Sequence, residues 1–136
     1  MEKREIGRSG IMASGIGLGA WAIGGGLWWG DNDDKMSINT IHRALELGIN
    51  WVDTARVYGF GHSEEVVGKA LKEISRHKMI LSTKCGIQWY DNRGEYHFTR
   101  EGHDVYRDLS PKAIRRDLEL SLKTLETEYV DVYYTH

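Results

Sequence analysis

The sequence holds one cysteine, one proline and two phenylalanines in 136 residues. A single thiol excludes an intrachain disulfide framework and fits a reducing compartment, so a cytoplasmic setting is expected. No run of about 18 apolar residues occurs, which argues against a membrane-spanning helix. No sign of charge dominates: 18 Lys and Arg stand against 20 Asp and Glu, a formal net charge of −2. A nucleic-acid partner usually requires a basic excess, so none is expected. The opening residues mix charged and small side chains and do not read as a signal peptide. What the chain does have is 16 glycines, five tryptophans and seven tyrosines, with an ordinary 40% of hydrophobic and 28% of charged residues. That length and balance describe one soluble domain able to bury a core.

The chain reads as a rhythm of strand, helix, strand. Lys3 to Ser14 alternates loosely around the turn Arg8-Ser9-Gly10 and predicts a hairpin. Ile16 to Trp21 reads as a short buried strand, and Gly24 to Gly30 as a glycine- and tryptophan-rich loop. Ile38, Ile41, Ala44 and Leu45 give helical spacing over Lys35 to Leu47, stopped by Gly48. Ile49 to Asp53 and Met79 to Thr83 are apolar strands. Between them Ser63-Glu64-Glu65 predicts a helix start with Ser63 as cap, running to Ile74. Cys85 to Leu109 reads as one long polar segment with scattered aromatics, facing substrate or an oligomer partner. Ser110-Pro111 opens a last helix with inner positions Ile114, Leu118, Ser121, Leu122 and Leu125, before a strand at Tyr129 to Tyr134. Strands separated by helices of about 12 residues predict βαβ units and a parallel sheet.

In such a fold the strand C-termini lie on one side, and sites are built there. Asp53, Lys84 and His136 end successive strands, and Tyr58 follows in the loop after Asp53. A phenol titrates near 10, too high to release a proton readily at neutral pH. A neighbouring ammonium favours the phenolate. A carboxylate can hold that ammonium, and an imidazole can orient a carbonyl oxygen. The set suits protonation of the oxyanion formed as a carbonyl is reduced. It contains no hydride source, so a nicotinamide or flavin cofactor is required. Each residue alone has a plainer reading: Asp53 a turn-former, Lys84 a solvated charge, Tyr58 a loop aromatic, His136 a frayed end. Their order on consecutive strand ends favours the joint reading.

Gly17-Leu18-Gly19-Ala20-Trp21-Ala22 fits the dinucleotide fingerprint G-x-G-x-x-A, but Gly24-Gly25-Gly26 follows where a helix must open, and the Rossmann reading is rejected. No histidine pairs with Cys85 at zinc-ligand spacing, so no metal is expected.

The run Gly48 to Ala55, then Tyr58-Gly59, then Ser63 to Gly68 resembles the signature of the aldo-keto reductase family. Ser82-Thr83-Lys84 and Tyr129 to His136 resemble its next two motifs, and Gly86-Ile87-Gln88-Trp89 is similar to a bacterial branch with Gly-x-x-Trp after the third strand. The resemblance implies a TIM (β/α)8 barrel that uses NADPH to reduce aldehydes or ketones. It implies that Tyr58 is the general acid, that Lys84 helps it release its proton, that Asp53 pairs with Lys84, and that His136 orients the carbonyl. Gly19, Ala20, Trp21 and Asp53 would meet the cofactor, and Trp21, Trp29 and Trp89 would wall the substrate pocket. The partner is then a small carbonyl compound. A complete barrel needs roughly 250 residues. Residues 1–136 therefore read as the N-terminal half of such a barrel, one incomplete domain with a hairpin, four parallel strands and three helices. Unpaired strand edges invite self-association that covers them. Two alternatives stay open: a cofactor-binding scaffold like the potassium-channel β subunits, and a half-barrel inactive by itself.

Overall fold

A computed structural model describes residues 1–136. β1 (Lys3–Glu5) and β2 (Met12–Ser14) form the expected antiparallel hairpin, with Lys3 opposite Ser14. Asn50 tethers it: its side chain accepts from the Ser14 amide at 2.7 Å and donates to the Met12 carbonyl at 3.0 Å.

Four parallel strands follow in the order β3 (Leu18–Gly19), β4 (Trp51–Asp53), β5 (Ile80–Cys85) and β9 (Val132–Thr135). Their register places Gly19, Asp53, Ser82 and Val132 in one row. Strand side chains alternate between faces. Val52 and Leu81 therefore point to the helices, and Trp51, Asp53, Ser82 and Lys84 to the opposite face.

α2 (Asp34–Glu46), α3 (His62–Lys72) and α4 (Pro111–Leu125) cover the first face. Ile41, Val66, Val67, Ala70, Leu71 and Leu125 meet Val52, Met79 and Leu81 in one buried core. Each large apolar side chain buried there contributes about 1.5–3 kcal/mol relative to exposure. Asp33 caps α2 by accepting from the Met36 amide, and Ser110 caps α4 through the Ala113 amide. α3 and α4 touch closely: a Cβ on Gly68 would lie 2.7 Å from the Leu125 carbonyl oxygen.

Several sequence expectations need correction. The stretch after β5 is a three-stranded antiparallel sheet, β6 (Ile87–Gln88), β8 (His103–Arg107) and β7 (Glu95–Arg100) in spatial order. A register shift between Tyr96 and Phe98 makes His97 a bulge, and that breaks the alternation by which a strand is recognised. The loop from Gly24 to Gly30 contains a one-turn helix, α1 (Gly26–Trp29). β3 is only two residues long, with Gly19 exposed. Ser63 is not a cap. Gly61 takes that position at φ 104°, which a glycine tolerates and a serine resists. Ser63 is the second residue of the helix, where its hydroxyl donates to the Ala20 carbonyl at 2.7 Å and bonds with the Thr54 hydroxyl at 2.8 Å. The inner face of α4 also carries Asp117, fully buried, whose carboxylate takes the Gly86 amide at 2.9 Å and the Tyr90 hydroxyl.

Candidate active site

The exposed face of the parallel sheet ends in a cleft of about 600 Å³ lined by Gly17, Gly19, Trp51, Asp53, Lys84, Tyr134, Thr135 and His136. Three of the four residues read as reactive, Asp53, Lys84 and His136, line it directly. Tyr58 stands at its rim, in the turn Tyr58–Gly61 that links β4 to α3.

Lys84 Nζ donates to Asp53 Oδ2 at 2.8 Å and to the Thr54 carbonyl at 2.8 Å. An ammonium has three donors, so one remains for the cleft. The same nitrogen lies 4.7 Å from the centre of the Tyr58 ring. His136 meets that ring edge-on, centroids 5.7 Å apart and planes at 86°. His136 is exposed as a residue, yet partial loss of water around the ring, and then the Lys84 ammonium, hold its imidazole below the ordinary histidine value. Asp53 pulls the other way.

Behind Asp53 runs a feature that sequence reasoning missed. Trp51 Nε1 donates to Ser82 Oγ at 2.9 Å, and Ser82 Oγ donates to Asp53 Oδ1 at 2.6 Å. The two strands face the same way at these positions, so period-2 spacing from Asp53 and Lys84 is the signal that could have found them.

Four of the five tryptophans divide into two groups, and the fifth, Trp51, lines the cleft. Trp21 lies 5.3 Å from Trp29, 5.9 Å from Trp28 and 6.0 Å from the Tyr58 ring. Trp89 belongs elsewhere: it meets Phe60 at 5.4 Å and carries the Arg56 guanidinium at 5.2 Å. None of Trp21, Trp29 and Trp89 lines the cleft floor itself. Gly17 and Gly19 line the cleft beside Trp51. Open space lies above the Cα of Gly19, and Ala20 is pinned by its amide to the Asp53 carbonyl at 2.8 Å.

Under the site is a second polar layer. Glu64, fully buried, accepts from the Thr83 hydroxyl at 2.7 Å and faces Arg56 at 3.5 Å. Burial raises its carboxyl above the ordinary value, against the pull of those partners. No three His, Cys, Asp or Glu side chains are grouped to hold a metal ion, and no helix is long and apolar enough to cross a membrane.

A lysine-carboxylate pair, a phenol and an imidazole gather at the C-terminal ends of parallel strands, with crossover helices outside, an arrangement of the barrel-type α/β fold. The comparisons with known proteins agree. The model of the Aldo/keto reductase family matches residues 15–136, and the chain belongs to that family. It is 45% identical to the NADH-specific methylglyoxal reductase of Escherichia coli strain K12, over all of this chain and 42% of that protein. It is similar to a solved glycerol dehydrogenase from Gluconobacter oxydans, at 41% identity and TM-score 0.81, over 99% of this chain and 39% of that one. An aldo-keto reductase from Klebsiella pneumoniae in complex with NADPH matches at 26% identity and TM-score 0.68, over 100% of this chain and 40% of that one. The chain thus spans about two-fifths of the length of the curated relatives it matches. Its four parallel strands and three covering helices correspond to about half of the TIM (β/α)8 barrel.

Proposed function

We propose that this chain carries the proton-donating half of a nicotinamide-dependent carbonyl reductase site, acting on aldehydes or ketones. The observation that carries the reading is Lys84, fixed by Asp53 and Thr54 with one donor left, against the ring of Tyr58. A bound nicotinamide cofactor supplies the hydride. Gly19, Ala20, Trp21 and Asp53 would hold its reactive end. Tyr58 Oη gives its proton to the substrate oxygen, which becomes the alcohol hydroxyl. The Lys84 ammonium lies beside the phenolate left behind, and Asp53 holds that ammonium in place. His136, held neutral, donates one ring N–H to the carbonyl oxygen and sets its direction. Trp21 and Trp29 wall the substrate side, with Trp89 further out.

On the choice of cofactor, the Klebsiella pneumoniae complex supports NADPH and the Escherichia coli relative's name supports NADH. Fluorescence titration with each, side by side, separates them. The alternative of a cofactor-binding scaffold predicts binding without turnover. A carbonyl-reduction assay with Tyr58→Phe in the chain restored to full barrel length tests the acid: most of kcat is lost while cofactor affinity stays, and an unchanged kcat removes Tyr58 from the role. Self-association over the unpaired edges of β3 and β9 is part of the same reading, and sedimentation velocity reads it directly.

A further inference from the structure

Two segments from different strands meet beside the cleft. The β7–β8 hairpin reverses at Glu101 and Gly102, at φ 51° and 78°. Its tip reaches α1, the tryptophan turn that follows β3. Glu101 Oε1 accepts from the Leu27 amide at 2.7 Å, a contact across 74 positions of sequence. Gly26 makes room for it: a Cβ there would lie 2.9 Å from Glu101 Oε1. The Arg100 guanidinium lies 3.7 Å from the centre of the Trp28 ring, and its Nε has no hydrogen-bond partner.

α1 has little else to hold it. One helical turn cannot sustain itself, and the chain enters and leaves it through Gly25, Gly26 and Gly30 at positive φ, a backbone that favours glycine. Leu27, Trp28 and Trp29 are 68%, 58% and 53% exposed. Yet Trp28 and Trp29 are the side chains that pack on Trp21, and Trp21 is the ring beside Tyr58. The hairpin tip therefore governs where the aromatic wall stands. A wall of edge-on and tilted indoles rewards a flat apolar body laid against it and does little for a two- or three-carbon compound.

We propose that Glu101 and Arg100 are positioning residues that latch the tryptophan turn, and that the latch makes the site select carbonyl compounds with a flat apolar body, such as aryl aldehydes. The inference rests on the carbonyl-reducing reading for its substrate half. Its structural half stands apart, and the two are tested by different readouts.

Acrylamide quenching of tryptophan fluorescence reads the latch without any chemistry. Glu101→Ala and Arg100→Ala each raise the quenching constant, by about 10–30% because the freed indoles are already half exposed and share the signal with the other tryptophans, with far-UV circular dichroism unchanged. Glu101→Gln keeps an acceptor oxygen and quenches like the unsubstituted protein. Equal quenching in all four proteins overturns the latch. Steady-state kinetics with benzaldehyde and methylglyoxal reads selection. Glu101→Ala raises KM for benzaldehyde about fivefold to tenfold, leaving kcat and both constants for methylglyoxal within about twofold. A KM rise of equal size on both carbonyls, or on neither, overturns selection. No reduction of either carbonyl by the unsubstituted protein restored to full barrel length overturns the functional reading, and with it selection, while quenching still decides the latch.

Discussion

A Cβ placed on Gly24 would lie 2.7 Å from the backbone nitrogen of Gly59. The two segments cross there with no side chain between them. Gly59 is also at φ 59°, where a substituted residue is strained. Because Gly59 follows Tyr58 directly, the crossing fixes the turn that presents the phenol.

Gly59→Ala is therefore expected to act on chemistry more than on folding. The added methyl meets Gly24 backbone, which cannot yield as a side chain can. Stability falls by about 1–3 kcal/mol, in the range for strained backbone positions. Carbonyl reduction falls by about tenfold or more, because displacing a catalytic group by an ångström costs that much or more. Urea unfolding and kcat/KM on the same preparation check both parts.

His136 offers a pH test. Its imidazole titrates below the ordinary value of 6.5, from loss of water first and the Lys84 ammonium second. A depressed value means that the unfolded chain binds the proton more readily. The stabilisation is fully present above 6.5 and is lost as pH falls through the folded-state value. Lys84→Met removes the second cause and leaves Asp53 to pull upward. The His136 ring resonance, followed by NMR, is expected to titrate at higher pH in that variant, and the acid-side loss of stability narrows.

Gly68→Ala probes the packing of α3 on α4. The new methyl would sit 2.7 Å from the Leu125 carbonyl oxygen and force the helices apart. A loss of about 1–3 kcal/mol is expected, as for an overpacked core position. Guanidinium unfolding measures it, and the lysine-carboxylate pair of the site, remote from this contact, is unaffected.

Asp53, Lys84 and His136 were legible because each closes an apolar run, and a polar residue at the end of a strand stands out. Ser110-Pro111 announced α4 for an equally local reason. Ser82 and Trp51 did not stand out. A serine inside a strand and an indole inside an apolar run look ordinary until register puts them side by side. The β7–β8 hairpin was hidden by the bulge at His97 and by aromatics on both of its faces. Ser63 looked like a cap because a cap is a local pattern, whereas its actual partners, Ala20 and Thr54, come from the chain crossing above it. Asp117 was hidden by its own charge, since its partners lie in the Gly86–Tyr90 segment and not on its helix.

The hydrogen bonds that link Trp51, Ser82, Asp53 and Lys84 converge on Asp53: Trp51 donates to Ser82 and Ser82 to Asp53, while Lys84 donates to Asp53 from the other side. The single hydroxyl hydrogen of Ser82 is committed to Asp53, and the only hydrogen behind it belongs to an indole that does not ionise near neutral pH. The row is thus a truss and not a wire: it can brace the ammonium, but it has no proton to forward and nowhere to draw one from. Whatever proton the site spends must return by the open side of the cleft, past His136.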